Sequence, residues 1–158
     1  MSGDHEFEEF FRQDFHRLVG FVMKLGAQQC QAEDIAAEAH AAAFQSWGTV
    51  RHPEAYVRRV ATRIYFKDLA LIRREDPLEE VLTPDTFDVA EHIAQCDLVL
   101  AAIRNLSPKQ RVVMSWKIDG YPPVLIANEL GISPDDVRKT LQRARETLKV
   151  LLAAIDEG

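Results

Sequence analysis

Arg59, Arg63 and Lys67 recur every fourth residue, so on a helix their charges stack along one side. Arg58, Arg73 and Arg74 lie close by, and Tyr65 and Phe66 interleave with the basic positions. A cationic track follows a phosphate backbone while aromatic rings take up unstacked bases, each stack contributing about 1–3 kcal/mol. That combination suits single-stranded DNA. The plainer alternative is that an aromatic, Phe66 above all, belongs to a core and that the arginines are merely solvated. A second group, Arg138, Lys139, Gln142, Arg143, Arg145 and Lys149, falls off the apolar stripe of its segment and is interrupted only by Glu146. Guanidinium, ammonium and amide groups on one face match phosphate oxygens and base edges.

Catalytic chemistry finds no comparable support. His5, His16, His40, His52 and His92 form neither an HExxH pattern nor a close pair, and the chain has no Gly-rich phosphate loop or nucleophile motif. Cys30 and Cys96 stand far apart without a CxxC spacing, which fits incidental thiols better than a metal site or a disulfide. No enzyme activity, metal or cofactor is expected.

A net charge of −6 over 158 residues argues against a nucleic-acid binder only if charge is read as one number. Every charged residue from Asp76 to Asp97 is acidic, and all the Lys and Arg lie on either side. An acidic connector therefore separates two partly basic modules. Apolar residues at 47% and charged residues at 28% are the balance of a folded soluble chain. No apolar run is long enough for a membrane span and the N-terminus lacks a signal-peptide pattern, so the expected location is the cytoplasm.

The elements that must position these residues are helices. Phe7, Phe10, Phe11, Phe15, Leu18, Val22 and Leu25 recur at three and four, with Gly26 as a stop. A second helix fits Ala32 to Trp47, with Ile35, Ala36, Ala39, Ala43 and Trp47 on one side and Gly48 as punctuation. A third starts at Pro53 and runs through Val57, Val60, Ala61, Ile64 and Leu69 to about Arg74. After the acidic stretch, Ile93, Cys96, Val99, Leu100 and Ile103 form a stripe, and Ser107-Pro108 caps a helix holding Val112, Val113 and Trp116. Pro122-Pro123 opens a short helix ended by Gly131, and Ser133-Pro134 caps a last helix with Val137, Leu141, Ala144, Leu148, Leu151 and Ile155 on one face. The expected fold is all-α: two small helical domains, 1–75 and 89–158, joined by an acidic linker at 76–88. Residues 124–148 have the form of a helix-turn-helix, although an ordinary helical hairpin would use the same cap and glycine.

Asp34-Ile35-Ala36-Ala37-Glu38 and Ala55-Tyr56-Val57-Arg58-Arg59-Val60-Ala61-Thr62 resemble the second conserved region of extracytoplasmic-function sigma factors. Leu106-Ser107-Pro108-Lys109-Gln110-Arg111, Asp119-Gly120-Tyr121, Ile126-Ala127, Leu130-Gly131-Ile132-Ser133, Val137 and Leu141-Gln142-Arg143-Ala144-Arg145 resemble the fourth. The resemblance covers nearly the whole chain in the correct order. It implies that Asp34, Ala37 and Glu38 bind core RNA polymerase and that Arg59, Thr62, Arg63, Tyr65, Phe66 and Lys67 engage the −10 element. By the same resemblance Arg138, Lys139, Gln142, Arg143 and Arg145 read the −35 element, and the partners are core polymerase, promoter DNA and an anti-sigma factor. Three positions depart from the family pattern: Ala37 replaces a common Gln, Arg63 a common Asn, and Asp135-Asp136 a Gly-Thr pair. The two acids suit a helix N-terminus but would repel phosphate there. The competing readings are an ordinary helix-turn-helix regulator whose first domain binds a ligand or dimerises, and a sigma-like protein that occupies polymerase without initiating.

Overall fold

The structure, a computed structural model, describes residues 2–67 and 98–157. All regular structure among them is helical, and the chain divides into two compact units, Met1–Asp68 and Leu69–Gly158. The expected linker at 76–88, the borders at 75 and 89, and Leu69, Arg73, Arg74, Ile93 and Cys96 lie outside the described residues.

The first unit consists of α1 (Ser2–Leu25), α2 (Gln29–Gln45) and α3 (Pro53–Phe66), with a 3-10 turn at Trp47–Thr49. Leu18, Phe21, Val22 and Leu25 from α1 meet Ala32, Ile35, Ala36, Ala39 and Ala43 from α2 and Ala55, Val57 and Ala61 from α3. The inner face of α2 is mostly methyl groups. Because helix separation depends on the side chains at the contact, such a face lets α1 and α3 approach closely.

The aromatic half of the α1 stripe does not enter this core. Phe11 is exposed, and Phe7, Phe10 and Phe15 are half-buried. They cluster with residues of α2 and the following turn: Phe7 lies 4.9 Å from Phe44 and 5.4 Å from Trp47 between ring centroids. Trp47 is not part of α2 as the spacing suggests. The helix closes at Ser46, whose backbone N–H reaches the carbonyls of Ala43 and Phe44, and Gly48 lies within the 3-10 turn instead of ending the helix.

The second unit contains α4 (Leu98–Ile103), α5 (Pro108–Ile118), α6 (Pro123–Leu130) and α7 (Pro134–Glu157). Ile103, Leu106, Val112, Val113, Trp116, Ile126, Ala127, Leu130, Val137, Leu141 and Ala144 are buried together. Val99 departs from the expected stripe and is exposed, whereas Ile103 is fully buried. Of the stripe expected in the last helix, Leu148 and Leu151 are half-buried.

Local chemistry sets the corners of this unit. The Ser107 hydroxyl accepts from the backbone N–H of Gln110 and caps α5, with Pro108 in the first turn. Gly120 takes φ 100° after α5, which lets the Tyr121 N–H reach the Trp116 carbonyl at 3.2 Å while the Tyr121 ring packs on Trp116. Gly131 takes φ 72° after α6, and the N–H groups of Gly131 and Ile132 both reach the Ala127 carbonyl. A side chain bearing Cβ would be strained at either glycine. Among the described residues no helix is long and apolar enough to cross a membrane.

Candidate nucleic-acid interface

The α7 surface is the better defined of the two basic faces. Gly131 turns the chain sharply after α6, and the Ser133 hydroxyl accepts from the Asp136 N–H at 3.0 Å, starting α7 at Pro134. The new helix packs against both α5 and α6 through Val137, Leu141 and Ala144. Burial of that stripe fixes the opposite face outward, and Arg138, Lys139, Gln142, Arg143 and Arg145 are all exposed. The five residues expected to read duplex DNA therefore share one solvent-facing surface.

The first turn of α7 carries two acids, and the structure shows where their charge goes. Asp136 accepts from the Lys109 ammonium through both carboxylate oxygens, at 2.8 and 2.9 Å. Asp135 accepts from Arg138 Nη1 at 3.1 Å across one turn, in an exposed pair. The charge of Asp136 is thus offset inside the unit by a buried ammonium, whereas that of Asp135 is met only at the surface. Exposed pairs contribute only about 0–1 kcal/mol, so Arg138 exchanges Asp135 for another anion at little cost.

The α3 surface is set by a buried charge network that sequence reading did not reveal. Arg58, expected to add to the basic surface, is buried: its Nη1 lies 3.3 Å from Asp14 Oδ1 of α1 and donates to the Glu54 carbonyl at 3.0 Å. Its guanidinium also stands over the Phe21 ring. On α2, His40 Nδ1 donates to the Ala36 carbonyl at 2.9 Å, and its Nε2 lies 3.3 Å from Asp14 Oδ2. Asp14 thereby joins α1 to α3 from within the core, with the His40 ring of α2 packed beside it.

With Arg58 turned inward, the outward side of α3 presents Arg59 and Arg63. Arg63 is exposed, and Arg59 is half-buried with its guanidinium 5.5 Å from the centre of the Tyr56 ring. Tyr65 and Phe66 are half-buried and meet edge to face, 4.8 Å between centroids. Thr62 is buried, and its hydroxyl donates back to the Arg58 carbonyl at 2.7 Å, so it faces the protein and not the basic surface. The helix ends at Phe66, before the Arg74 that periodicity suggests. Lys67 is exposed but takes φ 53°, so it leaves the helical path on which Arg59 and Arg63 are stacked. No Gly or Pro stands between Phe66 and Pro77 to signal that stop. Tyr56 is the residue missed by counting charges: it lies three positions before Arg59 on the same side.

Asp34, Ala37 and Glu38 are exposed on α2, opposite the buried Ala32, Ile35, Ala36, Ala39 and Ala43. At positions i, i+3 and i+4 they share one exposed face of α2. Among the described residues there is no group of three or more His, Cys, Asp or Glu that could hold a metal ion.

Residues 96–148 match the family model described as sigma-70, region 4. That stretch runs from just before α4 to the middle of α7 and includes the whole helix-turn-helix. Over 158 aligned residues the chain is 29% identical to the RNA polymerase sigma-E factor of Streptomyces coelicolor, covering 96% of this chain and 88% of that protein. It is 27% identical to the RNA polymerase sigma-E factor of Streptomyces avermitilis, covering 96% of this chain and 87% of the relative. The ECF RNA polymerase sigma factor SigM of Mycobacterium tuberculosis is 26% identical over 164 aligned residues, covering all of this chain and 83% of that protein.

Proposed function

From its homology to the extracytoplasmic-function sigma factors of the sigma-70 family, which extends along nearly the whole chain, we propose that this protein binds core RNA polymerase and directs it to promoters. The supporting observation is the partition of α7. Val137, Leu141 and Ala144 are held inside the second unit, and Lys139, Gln142, Arg143 and Arg145 are presented outward directly after the Gly131 turn. In a helix-turn-helix the second helix enters the major groove with its N-terminal part against base edges. This surface reads the −35 element. Arg138 and Lys139 lie in its first turns, and Gln142, Arg143 and Arg145 follow along the same exposed face.

The first unit serves the other two contacts. Arg59, Arg63, Tyr65 and Phe66 hold the melted −10 strand, with Tyr56 supporting Arg59 and Lys67 at the helix end adding charge. Asp34, Ala37 and Glu38 form the polymerase contact, where carboxylates suit a basic protein surface. An anti-sigma factor is the expected regulator, and the work is done in the cytoplasm. No catalytic step is assigned to the chain.

The principal rival is a helix-turn-helix regulator that acts without joining polymerase. Size-exclusion chromatography of the chain mixed with purified core polymerase separates the two. Co-elution at one chain per core enzyme supports the proposal. A chain that stays free of polymerase while shifting promoter duplex alone overturns it in favour of the regulator.

A further inference from the structure

Lys109 is badly placed for its own helix. It is the second residue of α5, where the helix dipole disfavours a cation, and its side chain is only 4% exposed. A buried ammonium needs a partner, and here the partner is Asp136, the third residue of α7, gripped through both carboxylate oxygens at 2.8 and 2.9 Å. The same aspartate is fixed from two further directions. Its backbone N–H donates to the Ser133 hydroxyl at 3.0 Å, and its carbonyl accepts from the Thr140 hydroxyl at 2.7 Å. Thr140 is itself buried. The first turn of α7 is thus pinned to the first turn of α5 through Asp136, about one turn before the exposed Lys139 and two before Gln142.

We propose that Lys109, which lies in α5 and outside the DNA-facing surface, is a positioning residue for promoter recognition, acting through Asp136 to hold the first turn of α7 in its reading register. The inference rests on the proposed reading of the −35 element by α7 and adds a determinant that lies off the reading surface. Two physical consequences follow from the pair. It turns the Asp136 carboxylate toward α5 and neutralises it, so that an acid in the first turn of a groove-entering helix does not repel phosphate. It also fixes the axial and rotational position of that turn, on which contact between a side chain and a particular base depends. Asp135 differs: its pair with Arg138 is exposed on both sides and fixes nothing beyond α7.

The test is transcription by core polymerase and the full-length chain from a promoter library randomised separately at −35 and −10. The variants are Lys109→Met, Asp136→Asn, the double variant and Lys109→Arg. Each single neutral variant should lower the preference for the best −35 sequence over its single-base neighbours by roughly fivefold or more, comparable with the loss of one base contact. The −10 preference should be unchanged. The double variant, which leaves neither charge unpaired, should be no worse than Lys109→Met alone, and Lys109→Arg should keep most of the preference. Three results would overturn the proposal: −35 preferences equal to the parent's in both single variants, single effects that multiply in the double variant, or a Lys109→Met loss that is uniform across sequences with a shallower salt dependence. The last would identify Lys109 as a direct phosphate contact. Asp136→Asn changes a partly exposed carboxylate to its isosteric amide, so it remains decisive even if Lys109→Met does not fold. A parent chain with no −35 preference would instead remove the reading of α7 on which the inference rests.

Discussion

Replacing Asp14 with Ala should destabilise the first unit severely while removing little apolar contact. The Asp14 and Arg58 side chains are 4% and 5% exposed. Taking away one partner of such a buried pair leaves an uncompensated charge, at a cost of about 3–5 kcal/mol. Arg58 keeps its bond to the Glu54 carbonyl and its place over Phe21, which sets the expectation at the lower end, about 3 kcal/mol. For a unit of this size, total stability is on the order of 3–10 kcal/mol. A loss of about 3 kcal/mol corresponds to a fall in Tm of roughly 12 °C or more. The assay is thermal and urea unfolding in a Trp116→Phe background, where Trp47 becomes the sole tryptophan and reports the first unit. Asp14→Ala/Arg58→Met, which removes both charges, should recover most of the loss, because an apolar pair of similar volume often substitutes for a buried ion pair at little cost. A single-variant loss under about 1 kcal/mol, or a double variant less stable than the single, would refute the view that this pair is a structural tie between α1 and α3.

Three further outcomes concern the surfaces. Asp34→Lys combined with Glu38→Lys should weaken retention of the chain on immobilised core polymerase without altering its circular dichroism, since both side chains are exposed; undiminished retention would remove these residues from the polymerase contact. Arg63→Ala should reduce open-complex formation, followed by permanganate reactivity of unpaired thymines, more than it reduces initial promoter binding; equal open complexes would make Arg63 a solvated charge. Lys139→Ala or Gln142→Ala should change the preferred −35 sequence at a discrete position, costing roughly 1–3 kcal/mol against the best promoter, while Lys149→Ala should weaken all promoters alike. Identical preferences in parent and variants would show that α7 does not read bases.

Local signals carried most of the architecture. The buried stripe of α7, the Ser107 and Ser133 caps with their following prolines, and the Gly131 turn are all determined by neighbours within a few positions. They could therefore be read directly from the chain. Two features could not. The Arg58–Asp14 and Lys109–Asp136 pairs join residues 44 and 27 positions apart, and neither has a periodicity that announces it. As a result Arg58 looked like part of the basic surface and Asp136 like a phosphate-repelling acid, although packing places one in the core and pairs the other. Tertiary packing also decided the end of α2, because Trp47 gains ring contacts with Phe7 and Phe10 once it leaves the helix. The exposed positions of α7 followed from its buried ones, so that candidate surface was recoverable in full. Thr62 was misplaced because its family motif says nothing of its hydroxyl turning back to the Arg58 carbonyl.

Run-off transcription with purified core RNA polymerase tests the central claim most directly. Core enzyme is supplied with the chain and a pool of bacterial promoter fragments, and transcript starts are mapped. Discrete starts should appear that require the chain, share a common −35 and −10 pair, and disappear when Arg143 and Arg63 are both replaced by Ala. Starts that are the same with and without the chain would contradict a role in promoter-directed initiation.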